Sequence, residues 1–316
     1  MAFDPRPYVK EIARGPHSSR SLTREQAREL FAAIFAGEVE EIALGGILVA
    51  MRMKGETVDE IAGMMQALAP HVAELRLPRR SSRPLLLGSY NGARKLPNLV
   101  PLLALLVARS GVPVLVHGAA QEASRVGTFE VLERLGHPAA SSVPEAERRL
   151  EQHGIAAAPL ALLSPPLARV LGERARMGVR SVAHTLAKLL LPRGTAPRGA
   201  CRLISVTHPD FLELMRGYLA LEHGDALLMR GVEGEPVVRL HAPQPIEAVG
   251  EESGPIEHRI DVADEAFDLP SRDADATARW TADVLEGRTR VPAALAAQAA
   301  LIARHCGASA AADALA

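Results

Sequence analysis

Aromatic residues are scarce in this sequence of 316 residues: one Trp, three Tyr and six Phe. Its core must be filled by Ala, Leu and Val, and the stacking platforms that single-strand nucleic-acid binders normally use are in short supply. Cysteine is scarcer still. Cys201 and Cys306 are too few for a disulfide framework or, by themselves, for a zinc site. No run approaches the roughly 20 apolar residues of a membrane helix. Met1–Lys10 carries Asp4, Arg6 and two prolines in place of the apolar stretch of a signal peptide. These absences exclude membrane-embedded and disulfide-stapled classes and lead us to expect a cytoplasmic protein with no membrane partner. The length suits two domains.

Charge of one overall sign is also missing, since the formal net charge is −1. Divided along the chain, however, the balance is uneven. Arg76–Arg109 carries seven Lys/Arg and no acid, and Pro165–Arg202 carries eight Lys/Arg against Glu173 alone. Ala242–Ala278 carries ten Asp/Glu against Arg259 and Arg272. If the basic segments fold onto one face, they create a local positive field that attracts polyanions whatever the total charge. If they scatter over several faces, they are solvated surface.

The opening of the chain reads as a helical module. Thr23 and Gln26 have capping-box spacing, and Ala27, Leu30, Phe31, Ile34 and Phe35 follow at helical intervals up to Gly37. A second helix spans about Val39–Met53 and stops at Gly55. Thr57 and Glu60 open a third, with Val58, Ile61, Met65 and Leu68 on one face. Gly45-Gly46 inside the second helix costs about 1 kcal/mol per glycine relative to Ala. Close approach of a helix from a second subunit accounts for the pair, and so does tight packing within the monomer.

After Pro78 short strands and helices alternate: Pro84–Gly88, Asn98–Arg109, Val112–Val116 running into His117-Gly118, and Thr128–Leu135. Such alternation predicts parallel strands joined by crossover helices. Leu167–Leu191 is mainly helical, and Arg202–Val206, Ala226–Met229 and Val237–Leu240 read as strands. Ala242–Pro270 reads as an irregular excursion or edge strands, and Ala274–Glu286 and Pro292–Cys306 as helices on the sheet. The expected fold is α/β: a small N-terminal helical domain (1–77, with 165–192 packing on it) plus a larger α/β domain (78–164 and 193–316) with a mainly parallel central sheet.

Ligands of such sheets bind beyond the C-terminal strand ends. Two loops fall there, Gly88-Ser89-Tyr90-Asn91-Gly92-Ala93-Arg94-Lys95 and His117-Gly118 through Thr128. A glycine-bearing loop between strand and helix can turn N–H groups toward a phosphate, and Arg94 and Lys95 add charge. The same glycines also serve simple turn geometry. The order of the pieces resembles the anthranilate phosphoribosyltransferase-like family, whose fold is shared by pyrimidine nucleoside phosphorylases. Ser21–Leu68 resembles its helical domain. Gly88–Gly92 stands where the transferases carry a Gly-Thr-Gly-Gly-Asp pyrophosphate loop, Asn98 on the downstream asparagine, and His117-Gly118 on a Lys-His-Gly-Asn element. Gly127–Glu133 resembles Gly-Ser-Ala-Asp-Val-Leu-Glu, and Arg174 with Met177–Ser181 matches the segment of the substrate-facing arginine. The resemblance covers about residues 20–305.

The departures bear on function. A phosphoribosyltransferase holds its diphosphate through closely approached backbone and magnesium. Tyr90, Asn91 and Gly92 replace the second and third glycines and the aspartate, and a Tyr obstructs the approach that glycine permits. Val116 and Ala119 replace the lysine and asparagine flanking His117-Gly118. In Gly231-Val232-Glu233-Gly234-Glu235-Pro236-Val237, Pro236 and Val237 stand where the family's metal-binding Asp-Glu pair belongs. Ser89–Arg94 and Glu233–Pro236 are instead the replacements found in the YbiB-like subgroup, which implies a homodimer that binds nucleic acid with little sequence preference and lacks anthranilate transfer. The candidate contacts are Arg79, Arg80, Arg83, Arg94, Lys95, Arg169, Arg174, Arg176, Arg180, Lys188, Arg193, Arg198 and Arg202. The expected partner is DNA, with RNA open.

Two other readings stand beside this one. One is a glycosyl- or phosphoribosyltransferase acting on phosphoribosyl pyrophosphate and an unknown acceptor, through a pocket of Gly88, Ser89, Asn91, Gly92, Asn98, His117, Gly118 and Arg174. The other is an interaction protein whose acidic segment, with Glu251, Glu252, Asp264 and Glu265, covers its own basic groove. His208, His223 and His241 show no metal spacing with Cys201, so no metal or cofactor is expected. His184 reads as a satisfied helix residue, and Cys201 and Cys306 as small buried hydrophobes.

Overall fold

In the computed structural model the described residues are 3–15, 17–78, 80–119, 124–250, 254–261 and 268–308. The chain opens with α1 (Arg6–Ile12), α2 (Arg24–Ala36), α3 (Glu41–Lys54) and α4 (Val58–Leu68). Both capping boxes form. The Thr23 and Thr57 hydroxyls accept the N–H of Gln26 and Glu60, and those side chains accept the threonine N–H in return. There follow β1 (Leu85–Ser89), α5 (Val100–Arg109), β2 (Val114–Gly118), α6 (Thr128–Arg134), α7 (Val143–His153) and β3 (Ile155–Pro159). Then come α8 (Leu160–Leu163), α9 (Pro165–Gly172), α10 (Arg174–Met177) and α11 (Ala183–Leu189). The chain ends with β4 (Cys201–Val206), α12 (Pro209–Leu221), β5 (Ala226–Arg230), β6 (Gln244–Val249), β7 (Ile256–Ile260), α13 (Ala274–Leu285) and α14 (Ala293–His305).

These elements form two compact units, Met1–Glu74 with Leu160–Arg193, and Leu75–Pro159 with Gly194–Ala316. The first is helical and buries Leu30, Phe31, Ile34, Ile47, Leu48, Met51, Ile61, Met64 and Leu68. The second is built on a seven-stranded sheet in the order β3-β2-β1-β4-β5-β6-β7. Strands β1 to β5 pair in parallel, while β6 and β7 are antiparallel additions at one edge. Its core joins Leu85, Leu87, Val114 and Val116 of the strands to Leu102, Leu103 and Val107 of α5 and to Leu295, Ala299 and Ile302 of α14. A small helical domain plus a larger α/β domain with a mostly parallel sheet is therefore the fold.

One expectation is corrected, one alternative is selected and two elements went unread. Val237–Leu240 is not a strand. Its Val238 N–H donates to the buried Gln298 side chain, which donates in turn to the Pro236 carbonyl, so a side chain takes the place of a ladder partner. The acidic stretch contains β6 and β7, whose edge position tolerates the charge of Glu247, Glu257 and Arg259. Finally, α7 and β3, unread in the sequence, complete the β2 edge. No helix among the described residues is long and apolar enough to cross a membrane.

Candidate functional site

Strand order reverses between β1 and β4, and the crevice beyond their C-terminal ends is the position where a parallel sheet binds ligands. The backbone is drawn tight there. A Cβ on Gly118 would stand 2.2 Å from the Ser89 carbonyl oxygen, so only glycine closes β2 against β1. Over this point the connection from β5 to β6 folds back as the turn Val232–Glu235. Glu235 is 2% exposed, and its Oε1 accepts the N–H groups of Asn91 at 2.6 Å and Gly92 at 2.7 Å. Its Oε2 accepts the Ser89 hydroxyl at 2.5 Å. The Gly234 carbonyl accepts from Asn91 Nδ2 at 2.6 Å and from Ser205 Oγ at 2.7 Å.

Glu233 extends the arrangement. Its carboxylate accepts the N–H of Arg94 at 2.9 Å and of Lys95 at 3.1 Å. The residue sits at φ +54°, a left-handed conformation that a side chain adopts at a cost, next to Gly234 at φ +86°. Two carboxylates of one turn therefore occupy the backbone amides that the sequence offers to a phosphate. Ionic hydrogen bonds of this kind contribute about 1.5–3 kcal/mol each.

Pocket residues of the α/β unit are bonded in two further sets. Thr128 Oγ1 lies 2.8 Å from Ser89 Oγ and accepts from Asn98 Nδ2 at 3.0 Å. The Tyr90 hydroxyl lies 2.6 Å from His117 Nδ1 with both rings buried. Burial holds His117 down to about 4 and pushes Tyr90 well above its ordinary value, so the neutral imidazole accepts the phenol's hydrogen bond. The obstruction at the loop therefore comes from Glu235, and the Tyr90 ring packs on His117 instead. Arg125 adds bonds to the Asn91 and Gly92 carbonyls, both at 3.2 Å.

Residues 6–71 match the helical bundle domain of a glycosyl transferase family, and residues 92–314 match its a/b domain. The chain belongs to this anthranilate phosphoribosyltransferase-like family. It is 37% identical to the uncharacterized protein YbiB of Escherichia coli strain K12, over 94% of this chain and 93% of that protein. The crystal structure of anthranilate phosphoribosyltransferase from Thermus thermophilus matches with a TM-score of 0.78 at 27% identity, covering 97% of this chain and 93% of that one. The Saccharomyces cerevisiae enzyme in complex with PRPP and Mg shares the fold with a TM-score of 0.78 at 14% identity, over 98% and 92% of the two chains. Pro236 and Val237 carry no carboxylate, and the Pro236 carbonyl is held by Gln298 at 2.9 Å.

The basic residues divide between the units. In the helical unit, Arg180, Arg174 and Lys188 lie close enough to His184 for their charges to depress its protonation. Arg169 donates to the Ile34 carbonyl, Arg176 pairs with Glu41 at 2.7 Å and Glu173 at 3.1 Å, and Arg193 lies 3.8 Å from Glu74. In the α/β unit, Arg94, Lys95 and Arg198 are exposed, and Arg80 donates to the Glu151 carbonyl. Arg83 is turned inward, with its guanidinium on Asp225 and on the His305 carbonyl, both at 2.6 Å. Arg202 does not belong among surface contacts: it is 1% exposed and paired with Glu222. Strand β4 is buried along its whole length, as a central parallel strand must be, so an arginine in it needs an internal counter-charge. Arg79, Glu251, Glu252, Asp264 and Glu265 lie outside the described residues. Sequence reasoning missed the part played by Glu233, Glu235, Thr128 and Arg125.

His184 is not the satisfied helix residue expected, because neither ring nitrogen makes a hydrogen bond. Burial first, then Arg180, Arg174 and Lys188, hold it down to about 3. Both depressed histidines act in one direction. Above the unfolded value of about 6.5 they are neutral in either state, whereas below it the unfolded chain takes up protons that the folded chain refuses. Stability thus falls as pH drops from about 6.5 toward 4 at His117 and toward 3 at His184. By pH ~4.5 the loss is about 2–3 kcal/mol per histidine. Denaturant titrations at pH ~7 and ~4.5 measure it, and equal stabilities would refute both assignments.

Proposed function

We propose that this protein binds nucleic acid through phosphate contacts, without sequence preference, and that its former diphosphate site performs no ribosyl transfer. The observation that carries the binding half is the charge distribution, eight Lys/Arg against Glu173 over Pro165–Arg202, with Arg174, Arg180 and Lys188 near enough to His184 to help keep it neutral. Three cations at one place concentrate a positive potential that a net charge of −1 conceals. Arg193, exposed in the glycine-punctuated loop that begins at Pro192, adds charge within the same helical unit on a backbone suited to phosphate contact. The occupied amides at Glu235 support the second half, because an incoming diphosphate must first displace a buried carboxylate.

A salt-titrated binding curve on a labelled DNA duplex tests this reading, with single-stranded DNA and RNA as further arms. Log affinity should fall linearly with log salt, at about 0.9 per phosphate contacted on the duplex. Absence of binding at low salt would reject the proposal. Calorimetry with phosphoribosyl pyrophosphate and magnesium should give no binding heat, and tight magnesium-dependent binding would restore the transferase reading.

The same reading includes a homodimer formed through the N-terminal helices. Ile42 and Met53 are 87% and 80% exposed, and with Gly45, Gly46 and Val49 they form one stripe along α3. Among the described residues nothing lies within 4 Å of a Cβ built on either glycine, so their packing within the monomer does not explain the pair. A second copy of α3 laid on this stripe does, because glycines let helix backbones approach closely. Ile42→Glu with Met53→Glu should convert the dimer to monomer in sedimentation equilibrium without altering helical content. A wild-type monomer, or a variant with unchanged mass, would reject it.

A further inference from the structure

At the end of the sheet opposite the occupied amides, three chemically distinctive side chains meet, with Cys306 beside them. Cys201 is the first residue of β4, Asp225 immediately precedes β5, His305 ends α14 and Cys306 caps it. Ligating atoms of Cys201, Asp225 and His305 all lie within 4.8 Å of one another. His305 Nε2 stands 2.9 Å from Asp225 Oδ1, and the Cys306 thiol, outside that set of three, is near enough to help push the Cys201 thiol up. Both cysteines are buried, at 0% and 1% exposure. The expectation of two inert hydrophobes overlooks His305, which sequence spacing sets beside Cys306 but far from Cys201.

We propose that Cys201, His305 and Asp225 form a site for a zinc ion, which Cys306 closes as fourth ligand by turning its thiol toward the other three. The donor set of two sulfurs, one imidazole nitrogen and one carboxylate oxygen suits zinc and is wrong for calcium or magnesium, which take oxygen. Two ligands each about 2.0 Å from a tetrahedral ion are about 3.3 Å apart, so the histidine and aspartate need separate only slightly. Binding displaces the protons of both thiols and leaves His305 neutral at Nε2. Two thiolates and a carboxylate around a divalent ion leave one excess negative charge. Arg83 already holds the other aspartate oxygen, Oδ2, at 2.6 Å and supplies the balancing charge from outside the ligand shell. With no open position the ion acts structurally, clipping α14 to the starts of β4 and β5.

Cobalt(II) titration of the full-length protein, freshly reduced, reads the site directly. One equivalent should bind with a thiolate-to-cobalt charge-transfer band, and zinc should displace it. Elemental analysis after zinc loading and desalting should find about one zinc per chain, falling to none in Cys201→Ser and His305→Ala. Should either variant misfold by circular dichroism, the wild-type cobalt spectrum decides alone. Binding without a thiolate band, no binding, or a Cys201–Cys306 disulfide in place of the metal would each overturn the assignment.

Discussion

Glu235→Ala is expected to destabilise the protein by about 3–5 kcal/mol and, in the same step, to make it a pyrophosphate binder. The Ser89 hydroxyl and the Asn91 and Gly92 N–H groups converge on that one carboxylate, and removing it strands the two buried N–H groups while Ser89 turns to Thr128. The void left has donor geometry for an oxyanion, so inorganic pyrophosphate or sulfate should raise the melting temperature of the variant saturably. The wild type should show no such rise, because the amides are taken. Glu235→Gln keeps an acceptor but turns an NH2 group toward one of the donors, and should lose less stability while gaining little anion affinity. Differential scanning fluorimetry across an anion series tests all three proteins. A wild type stabilised by pyrophosphate as strongly as the variant would show that Glu235 does not hold the site.

The second large effect concerns the cations of the helical unit. Arg180→Glu with Lys188→Glu should weaken duplex binding by roughly 10–100-fold at low salt and flatten the log–log salt slope by about 1.8, two contacts' worth. Arg288→Glu, at an exposed arginine paired with Asp283 and Glu286 and outside the helical unit, should leave binding unchanged. The double variant carries an internal readout of placement. Two of the three charges that hold His184 down become negative, so His184 should titrate at higher pH and the acid loss of stability should shrink. Equal binding by all three proteins would remove the basic cluster from the interface. Arg202→Glu is no test of binding, since it sets a second carboxylate against Glu222 inside the sheet and should prevent folding.

Features decided by neighbours in the chain were legible in the sequence. Thr23 with Gln26 and Thr57 with Glu60 announce their helices because both partners of each capping box lie within one turn. The strands leading to Ser89 and Gly118, and hence the position of the ligand crevice, follow from apolar runs ended by small residues. Contacts between distant segments were not legible. Asn91 and Glu235 are 144 residues apart, and nothing local distinguishes a carboxylate that folds back from one that faces water. Charge runs misled at Arg202 for the opposite reason: a tally of basic residues ignores that the apolar run around it, Cys201–Val206, must be buried on both faces. Val237–Leu240 has the composition of a strand, yet the Gln298 side chain claims the bonds that a neighbouring strand would need.

The turn at Glu233-Gly234-Glu235 also constrains how this scaffold can change over generations. A chain that supplies its own ligand cannot recover an external one by a single replacement. The first step toward diphosphate binding empties the cradle and weakens the fold before any substrate gives a return. Reversal must therefore cross an unstable intermediate, whereas new roles on the outer arginines leave the interior untouched. Substitution at the surface carries no such cost.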